Sequence, residues 1–354
     1  MSGDRKAFFW IAGFIAFAVL LYALSSILAP FVAGLAVAYF FDPVADRLER
    51  AGISRGLAAG LVILAFLGLA VVILVLLLPL LQAQILGLLT TVPDLIELLR
   101  ERVRPLMELL YENLSSGEID DLKSAVEAFA VDILAWVGGL LKGVWSGGMA
   151  FFNIVSLVVI TPLVAFYLLR DWDQIVARFD HLLPRRSIDV FHQQFTAIDN
   201  TIAAFVRGQA SVCLVLAVYY AIGLTLAGLD FGLLVGLGTG LLAFIPYVGA
   251  SIGMISGVGI ALAQFSDWQS VLIVAAIFIA GQTAESYILT PRLVGGRVGL
   301  HPIWIIFALL AGGALFGLTG VLLAVPVTAV IGVLIRFGVS QYLESPFYDG
   351  GQAE

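Results

Sequence analysis

The sequence predicts an all-α fold, a polytopic transmembrane helical bundle of about eight spans with an amphipathic periplasmic helical segment. Three observations support this fold class. Of the 354 residues, 61% are hydrophobic and only 12% are charged, whereas soluble domains carry about 25% charged residues. Several uncharged stretches reach the roughly 20 residues that a helix needs to cross a hydrocarbon core. Their Leu, Ala, Val and Gly runs lack the alternating pattern of a membrane barrel, so helices are expected to satisfy the backbone.

Seven apolar segments set the order of the helices. The first is typical of a tight helical pair, with Pro30 near its turn. A cleaved signal peptide is the alternative there, because Arg5 and Lys6 precede the apolar run, but cleavage would leave half a helix stranded. The segments span residues 7–41, 57–81, 143–169, 208–229, 231–266, 268–291 and 298–335.

The distribution of Lys and Arg predicts the orientation in the membrane. With a cytoplasmic N-terminus, thirteen of these residues lie inside, and only five lie in the outside segment 82–142, which also carries ten Asp or Glu. This bias is typical of a chain whose Lys- and Arg-rich loops face the cytoplasm, so both termini are expected to be cytoplasmic. This orientation is consistent for the whole chain only if segments 231–266 and 298–335 each enter and leave the membrane on the same side.

These two segments are therefore predicted to be helical hairpins. Asp230 and Asp267 bracket 36 uncharged residues, and Arg297 and Arg336 bracket 38. Each arm is about 16–18 residues long, so re-entrant hairpins and complete pairs of spans both stay open. A single span precedes each hairpin, and the two units have inverted orientation. Inverted units with Gly/Pro-interrupted segments indicate the binding site of a secondary transporter.

The chain is expected to divide by function along its length. Heptad spacing over 92–110 and 119–140 predicts two amphipathic helices, beginning at Thr91 and Ser115, that pack on each other, on the membrane surface or on another copy of the chain. The predicted parts are 1–81, N-terminal transmembrane helices; 82–142, periplasmic amphipathic helices; 143–207, a transmembrane helix and a cytoplasmic amphipathic segment; 208–341, a transport core; and 342–354, a cytoplasmic tail.

Glu285 is the candidate residue for binding a proton or a cation. It follows seventeen uncharged residues, and an ionisable group at helix-centre depth costs about 2.5–3.5 kcal/mol on insertion scales and usually faces a bundle interior or a cavity. Pro291 is expected to kink or unwind the helix near Thr290 and to leave carbonyl oxygens beside the acid. The alternative is an ion pair of Glu285 with Arg292 or Arg297 that holds the helix end.

Further candidate substrate or ion-binding residues lie around the carboxylate and at the hairpin centres. Arg207 and Gln209 begin the span 208–229, where snorkelling of the arginine to the interface is the ordinary interpretation. Asp230 is expected to cap the first hairpin arm. The glycines of the two hairpins either line a permeation path or allow neighbouring helices to approach each other closely. The remaining candidates are Gln282, Pro246, Tyr247, Gly249, Gly313, Gly317 and Gly320.

The sequence shows no pattern of a metal-dependent or nucleotide-dependent enzyme. His181, His192 and His301 lack the spacing of an H-E-x-x-H metal site, and no glycine-rich phosphate loop is followed by Lys. Cys213 is the single cysteine, which excludes an internal disulfide. We expect no cofactor and no nucleic-acid partner; the expected partners are the lipid bilayer, a small polar substrate and a proton or sodium ion.

Six blocks in order carry a resemblance to a known family. They are FDPVADRLERAGISRGLAA, AFYLLRDWDQIVARFDHLLPRR, IDNTIAAFVRGQ, FIPYVGASIG, ESYILTPRLVGGRVGLHP and GGALFGLTGVLLAVPVTAV. Over nearly its whole length the chain resembles the autoinducer-2 exporters, inner-membrane transporters of about eight spans. One departure is Asp42-Pro43, where the family pattern has Asn-Pro.

The resemblance implies a secondary transporter that exports a small polar molecule, with the quorum signal autoinducer-2 as the family candidate and a proton or cation as the coupling ion. Since other members exchange sodium or lithium for protons, an antiporter is the alternative. An oligomeric channel-like or scaffolding protein, assembled as a homo-oligomer through the periplasmic helices, is the alternative from another class.

Overall fold

Most of the residues that the structure describes are helical. The computed structural model describes residues 13, 20, 24–111, 149–183, 185, 188–246, 248–295, 301–345 and 348. Within these residues there is no strand, which confirms the all-α prediction. The helices are α1 Ser25–Arg50, α2 Arg55–Tyr111, α3 Met149–Leu182, α4 Ile188–Leu226, α5 Gly232–Leu242, α6 Val248–Gln264, α7 Trp268–Ala284, a π-helix Glu285–Val294, and α8 Pro302–Leu343.

Five of the described helical stretches are long and apolar enough to cross a membrane, and α5 and α6 are shorter apolar helices. The five stretches are Ile27–Arg50, Arg55–Leu88, Ile188–Leu226, Trp268–Val294 and Ile303–Leu343. Large apolar side chains such as Leu64 and Leu76 are exposed, as expected where hydrocarbon rather than water is the solvent. The prediction of a polytopic helical membrane protein is confirmed.

Helix α2 is longer than its apolar segment predicted. It runs without interruption for 57 residues, about 85 Å at the helical rise of 1.5 Å per residue. The boundary predicted at residue 82 is not a helix end, and the helix start predicted at Thr91 is wrong. A Thr three residues before an Asp favours an N-cap only where the preceding residues are not already helical. The second predicted periplasmic helix, over 119–140, lies outside the described residues.

Contacts divide the chain into two compact units, and neither unit is contiguous in sequence. Unit 1 comprises Met1–Leu69, Val159–Val212 and Ser286–Glu354, and unit 2 comprises Ala70–Val158 and Cys213–Glu285. The first predicted hairpin therefore belongs to unit 2 and the second to unit 1. The sequence-based division into five consecutive parts stays a prediction.

In unit 2, α5 and α6 form the first predicted hairpin. They are joined by a turn around Pro246 and pack against each other. Glycines of α5 permit a close approach to α4: a Cβ atom on Gly240 would lie 2.2 Å from the Ala217 Cα, and one on Gly236 would lie 2.3 Å from the Ala221 backbone nitrogen. Packing is thus the role of these two glycines.

Two glutamine side chains hold the base of this hairpin. The Asp230 backbone N–H donates to Gln264 Oε1 at 2.8 Å, and Gln264 Nε2 donates to the Gly228 carbonyl at 2.8 Å. The Leu234 N–H donates to Gln84 Oε1 of α2 at 2.9 Å. The predicted cap by the Asp230 side chain is wrong, because the N-cap of α5 is Phe231 with no side-chain cap, and the Gly232 N–H donates to the Leu229 carbonyl.

In unit 1, α8 contains the second predicted hairpin. Gly317 has φ 59° and ψ −141°, a conformation that is essentially restricted to glycine. A Cβ atom on Gly312 would lie 3.6 Å from the Ala324 Cβ, whereas residues twelve apart in a straight helix are separated by about 18 Å. The chain therefore reverses direction at Gly317, within the predicted centre 316–320.

The packing of α1, α2 and α3 in unit 1 depends on small side chains. Ala45, Ala59 and Ala165 are fully buried among larger apolar residues. At one end of these helices the Arg55 guanidinium donates to the Leu169 carbonyl at 2.7 Å and to the Asp42 carboxylate at 2.7 Å. This arginine therefore ties the start of α2 to both of its neighbours.

Candidate functional site

The first candidate site is the π-helix, which continues directly from α7. Glu285 is the C-cap residue of α7 and the first residue of the π-helix. Pro291 lies inside it, and the Gly295 N–H donates to the Thr290 carbonyl at 3.0 Å. The helix does not unwind near Thr290 but widens into a π-helix, a local adjustment by which membrane helices accommodate proline, and the alternative of a kink at Pro291 stays a prediction. Such π-helical turns are frequent at functional sites.

Glu285 is half-buried, and it makes no ion pair with any residue that the structure describes. The pairing with Arg292 that the sequence left open is therefore not formed. Arg297, the other proposed partner, lies outside the described residues. The carboxylate is close enough to the Tyr220 hydroxyl and the Cys213 thiol of α4 to act on both electrostatically.

Tyr220 is a neighbour of this site that sequence reasoning missed. Its side chain is 1% exposed, and its ring stacks on Phe278 with the centroids 5.2 Å apart. A Cβ atom on Gly281 would lie 2.4 Å from the Tyr220 hydroxyl oxygen. The glycine one turn before Glu285 thus makes room for the tyrosine. The available signal was Gly281, but the partner on α4 is about sixty residues away.

The other candidates around the carboxylate lie on two elements. The side-chain oxygen of Gln282 is buried, whereas Thr290, Pro291 and Arg292 are exposed along the π-helix. In unit 1, a Cβ atom on Gly208 of α4 would lie 2.4 Å from the Leu293 carbonyl oxygen. The residues on either side of that contact are Arg207, which is half-buried, and Gln209, which is buried.

The hairpin candidates are packing or turn positions in the structure. A Cβ atom on Gly249 would lie 2.3 Å from the Ala243 backbone nitrogen, one on Gly320 would lie 1.9 Å from the Gly312 carbonyl oxygen, and one on Gly313 would lie 3.2 Å from the Val321 side chain. Pro246 is the last described residue in the turn of the first hairpin. Tyr247 lies outside the described residues.

The second candidate site is a polar cavity in unit 1, lined by α1, α3 and α4. Its volume is about 110 Å³. The Tyr39 hydroxyl donates to Asp199 Oδ1 at 2.9 Å, and the Tyr39 and Trp172 ring centroids are 6.1 Å apart. Asp42 and Arg207 complete the polar wall. We refer to it below as the unit 1 cavity.

Sequence reasoning identified Arg207 alone among the polar residues of the unit 1 cavity. Tyr39, Trp172 and Asp199 are separated by up to 160 positions, and no local spacing links them. The sequence offered one signal of a polar site on α1. Asp42, which lines the cavity, recurs with Asp46 and Glu49 at helical spacing. All three contact the Arg55 guanidinium.

The C-terminal part of α3, beyond most of its cavity-lining residues, is charged. The Arg170 guanidinium donates to both carboxylate oxygens of Asp171 at 2.7 and 2.8 Å, and it lies over the Tyr167 ring at 4.8 Å from the centroid. The hydrogen bond from Arg170 holds the pKa of Asp171 below its usual range. His192 Nε2 contacts Asp180 Oδ1, which likewise lowers the pKa of Asp180. These contacts are exposed, so they are expected to add little stability.

Comparison with known proteins identifies relatives over most of the chain. Residues 11–340 match the family described as "AI-2E family transporter". The "Putative transport protein YueF" of Bacillus subtilis is 30% identical over 302 residues, which cover 83% of this chain and 79% of that protein. The "Putative permease PerM" of Escherichia coli K12 is 26% identical over 317 residues, which cover 90% and 89%.

Proposed function

The chain belongs to the AI-2E family of transporters, and we propose that it is a secondary transporter that exports a small polar molecule in exchange for, or together with, a proton or small cation. One observation carries the coupling: Glu285 stands in an apolar span, at the junction of an α-helix and a π-helix, with no ion pair among the described residues. Autoinducer-2 is the solute that the family description suggests.

The physical argument is the cost of the charge. An ionised carboxylate at helix-centre depth costs about 2.5–3.5 kcal/mol on insertion scales. A bound proton or monovalent cation removes that net charge. The loaded and empty forms of the site therefore differ in the free energy of being surrounded by apolar groups. A ligand that changes the relative free energy of two conformations shifts their populations. Loading of Glu285 would in this way decide which conformation, and hence which side of the membrane, is open.

In this proposal the two hairpins, with the turn around Pro246 and the reversal at Gly317, are parts of the transport core, and both termini lie in the cytoplasm of the bacterial cell. Gln282 lies about one turn before Glu285, and its side-chain oxygen is buried. Thr290, Pro291 and Arg292 follow along the π-helix.

A sodium or lithium/proton antiporter is the second candidate function, and the oxygen atoms around Glu285 favour it. The buried Gln282 Oε1 and the nearby Tyr220 hydroxyl are hard oxygen donors of the kind that small alkali cations bind. In this case the cation itself is the cargo. The scaffolding alternative depends on the predicted periplasmic helices of residues 82–142, of which 112–142 lie outside the described residues.

Proteoliposomes containing the parent chain, Glu285→Gln or Glu344→Gln test the coupling. Glu344 is an exposed acid at the end of α8, so its variant is a matched control. We expect an imposed proton or sodium gradient to drive autoinducer-2 flux in the parent and in Glu344→Gln, and the flux to fall to background in Glu285→Gln.

The outcomes separate the candidates. Sodium-driven proton flux in the absence of any organic solute, lost in Glu285→Gln, would support the antiporter. Equal gradient-driven flux in the parent and Glu285→Gln would exclude carboxylate coupling. No flux of solute or ions in any of the three proteins would favour the scaffolding alternative.

A further inference from the structure

We propose that the unit 1 cavity is a binding site for a small zwitterionic solute of about five to seven non-hydrogen atoms. The inference rests on the proposed function as a transporter of small polar molecules, and it narrows their class. It depends on three features of the cavity: an arginine without an acceptor, a carboxylate beside two aromatic rings, and a small apolar space between them.

Arg207 supplies the positive end of the cavity. It is half-buried and lines the wall. Among the residues that the structure describes, its guanidinium makes no hydrogen bond and no ion pair, although it acts electrostatically on Tyr39 and Asp42. A guanidinium presents several N–H groups in a planar fork that matches a carboxylate. The group that would satisfy it is therefore the carboxylate of a ligand.

Asp199 supplies the negative end. One of its oxygens accepts the Tyr39 hydroxyl at 2.9 Å, and within the described residues the other oxygen has no hydrogen-bond partner. The rings of Tyr39 and Trp172 stand next to this carboxylate. A carboxylate beside aromatic rings is a site where an ammonium group is attracted by both the ion and the ring faces.

The presence of both signs decides against a ligand with a single charge. An anion at Arg207 would also face Asp42 and Asp199, and a cation at Asp199 would also face Arg207. Asp42 does not neutralise the arginine, because it already accepts from Arg55 at 2.7 Å. The hydroxyl groups of an uncharged ligand would form weaker hydrogen bonds to Arg207 and Asp199 than ionised groups would form. A zwitterion matches each end with the opposite charge.

The size and the walls limit the solute further. The cavity measures about 110 Å³, less than the roughly 150 Å³ of an apolar cavity that accepts benzene, with its six carbon atoms. The wall between the charged ends is formed by small or aliphatic side chains. They are Leu35, Ala38, Leu168, Leu169 and Ala203. A short aliphatic linker between the ammonium and the carboxylate would pack against them.

Titration calorimetry of the full chain in detergent, without any gradient, tests the class of solute. The probes are glycine, β-alanine and γ-aminobutyrate as zwitterions, acetate and ethylammonium as single ions, and glycerol as an uncharged polyol. We expect at least one of the zwitterions to bind roughly tenfold or more tightly than acetate, ethylammonium and glycerol. This is the difference in affinity that one added hydrogen bond to a charged group produces.

Variants test the two ends separately. Arg207→Gln and Asp199→Asn should each weaken zwitterion binding roughly tenfold to a hundredfold, whereas Arg207→Lys should retain more affinity than Arg207→Gln. Arg178→Gln and Asp173→Asn change exposed residues of α3 outside the cavity and should bind like the parent. Far-UV circular dichroism and gel filtration identify any variant that fails to fold, and the parent's probe preference stands independently of them.

The proposal is overturned if no zwitterion binds the parent, if glycerol or a single ion binds better, or if Arg207→Gln and Asp199→Asn both fold and bind like the parent. Its failure is distinguishable from that of the proposed function. The calorimetry uses no gradient and concerns a cavity that Glu285 does not line, whereas the flux assay of the proposed function depends on that carboxylate. Gradient-driven autoinducer-2 flux in a protein that binds no zwitterion would refute the cavity proposal alone.

Discussion

The two hairpins reverse the chain in physically different ways. In unit 2, α5 and α6 are separate helices joined by a turn whose described residues all have negative φ, and side-chain hydrogen bonds from Gln84 and Gln264 hold the base. In unit 1, α8 reverses at the single residue Gly317, and its two arms approach with Gly312 against Gly320. The first hairpin thus combines polar contacts at its base with close glycine contacts at Gly236, Gly240 and Gly249, whereas the arms of the second meet at the Gly312–Gly320 backbone contact near its tip.

This difference teaches where each hairpin is vulnerable. A hydrogen bond at a partly exposed base contributes about 0.5–1.5 kcal/mol and can be replaced by water. A contact between two backbones has no side chain that could move aside, so an added methyl group must displace a whole arm. Substitutions at glycine are therefore expected to cost more in α8 than polar substitutions cost at the base of α5 and α6.

The largest effect is expected for Gly320→Ala. The new Cβ atom would lie 1.9 Å from the Gly312 carbonyl oxygen, so the arms of α8 must separate, at a cost of roughly 3 kcal/mol in the free energy of unfolding. Thermal unfolding of the purified protein in detergent measures the loss. Gly338→Ala, in the same helix with open space around the new atom, is the control and should be neutral or slightly stabilising. Equal midpoints for the two variants would contradict the close approach.

A smaller effect is expected for Gln264→Leu. The change removes two hydrogen bonds of 2.8 Å, to the Asp230 N–H and the Gly228 carbonyl, and should lower the free energy of unfolding by about 2 kcal/mol. Hydrogen exchange should accelerate at residues 228–234 and remain unchanged in α8. Gln341→Leu replaces an exposed glutamine of α8 and serves as the control. Unchanged exchange at the base in Gln264→Leu would show that the glutamine does not hold it.

The smallest effect is expected for acidification at Asp267, the N-cap that follows the first hairpin. Ser270 donates to this carboxylate, with its backbone N–H at 2.7 Å, and holds the pKa of Asp267 below its usual value. The stabilisation is therefore complete above the unfolded-state pKa of about 3.9 and is lost as the pH falls through the lower folded-state value. Exchange at the start of α7 should rise below pH 4 in the parent.

The Asp267→Asn variant is the control for this prediction, because asparagine also caps helices and does not titrate in this range. Its exchange at the start of α7 should show no acid-dependent step. A step in Asp267→Asn equal to that of the parent would assign the acid sensitivity to another group.

The sequence predicted features that depend on local composition. The apolar lengths predicted the spans, and the helix breakers at Pro246 and Gly317 predicted the hairpin centres. Local patterns misled where the neighbouring structure decided the outcome. Thr91 resembles a helix start but lies inside α2, Asp230 resembles a cap but leaves that role to other groups, and Pro291 widens its helix instead of unwinding it.

By itself the sequence determined the all-helical membrane class, the two hairpins and the exceptional position of Glu285, because burial in hydrocarbon imposes a length and a composition on every span. Only the tertiary structure decided which polar groups meet. Tyr39, Trp172 and Asp199 lie on three helices and share no sequence period, and Tyr220 reaches the segment before Glu285 from a helix about sixty residues away. Contacts between helices depend on how their faces pack, and helical periodicity describes one helix at a time.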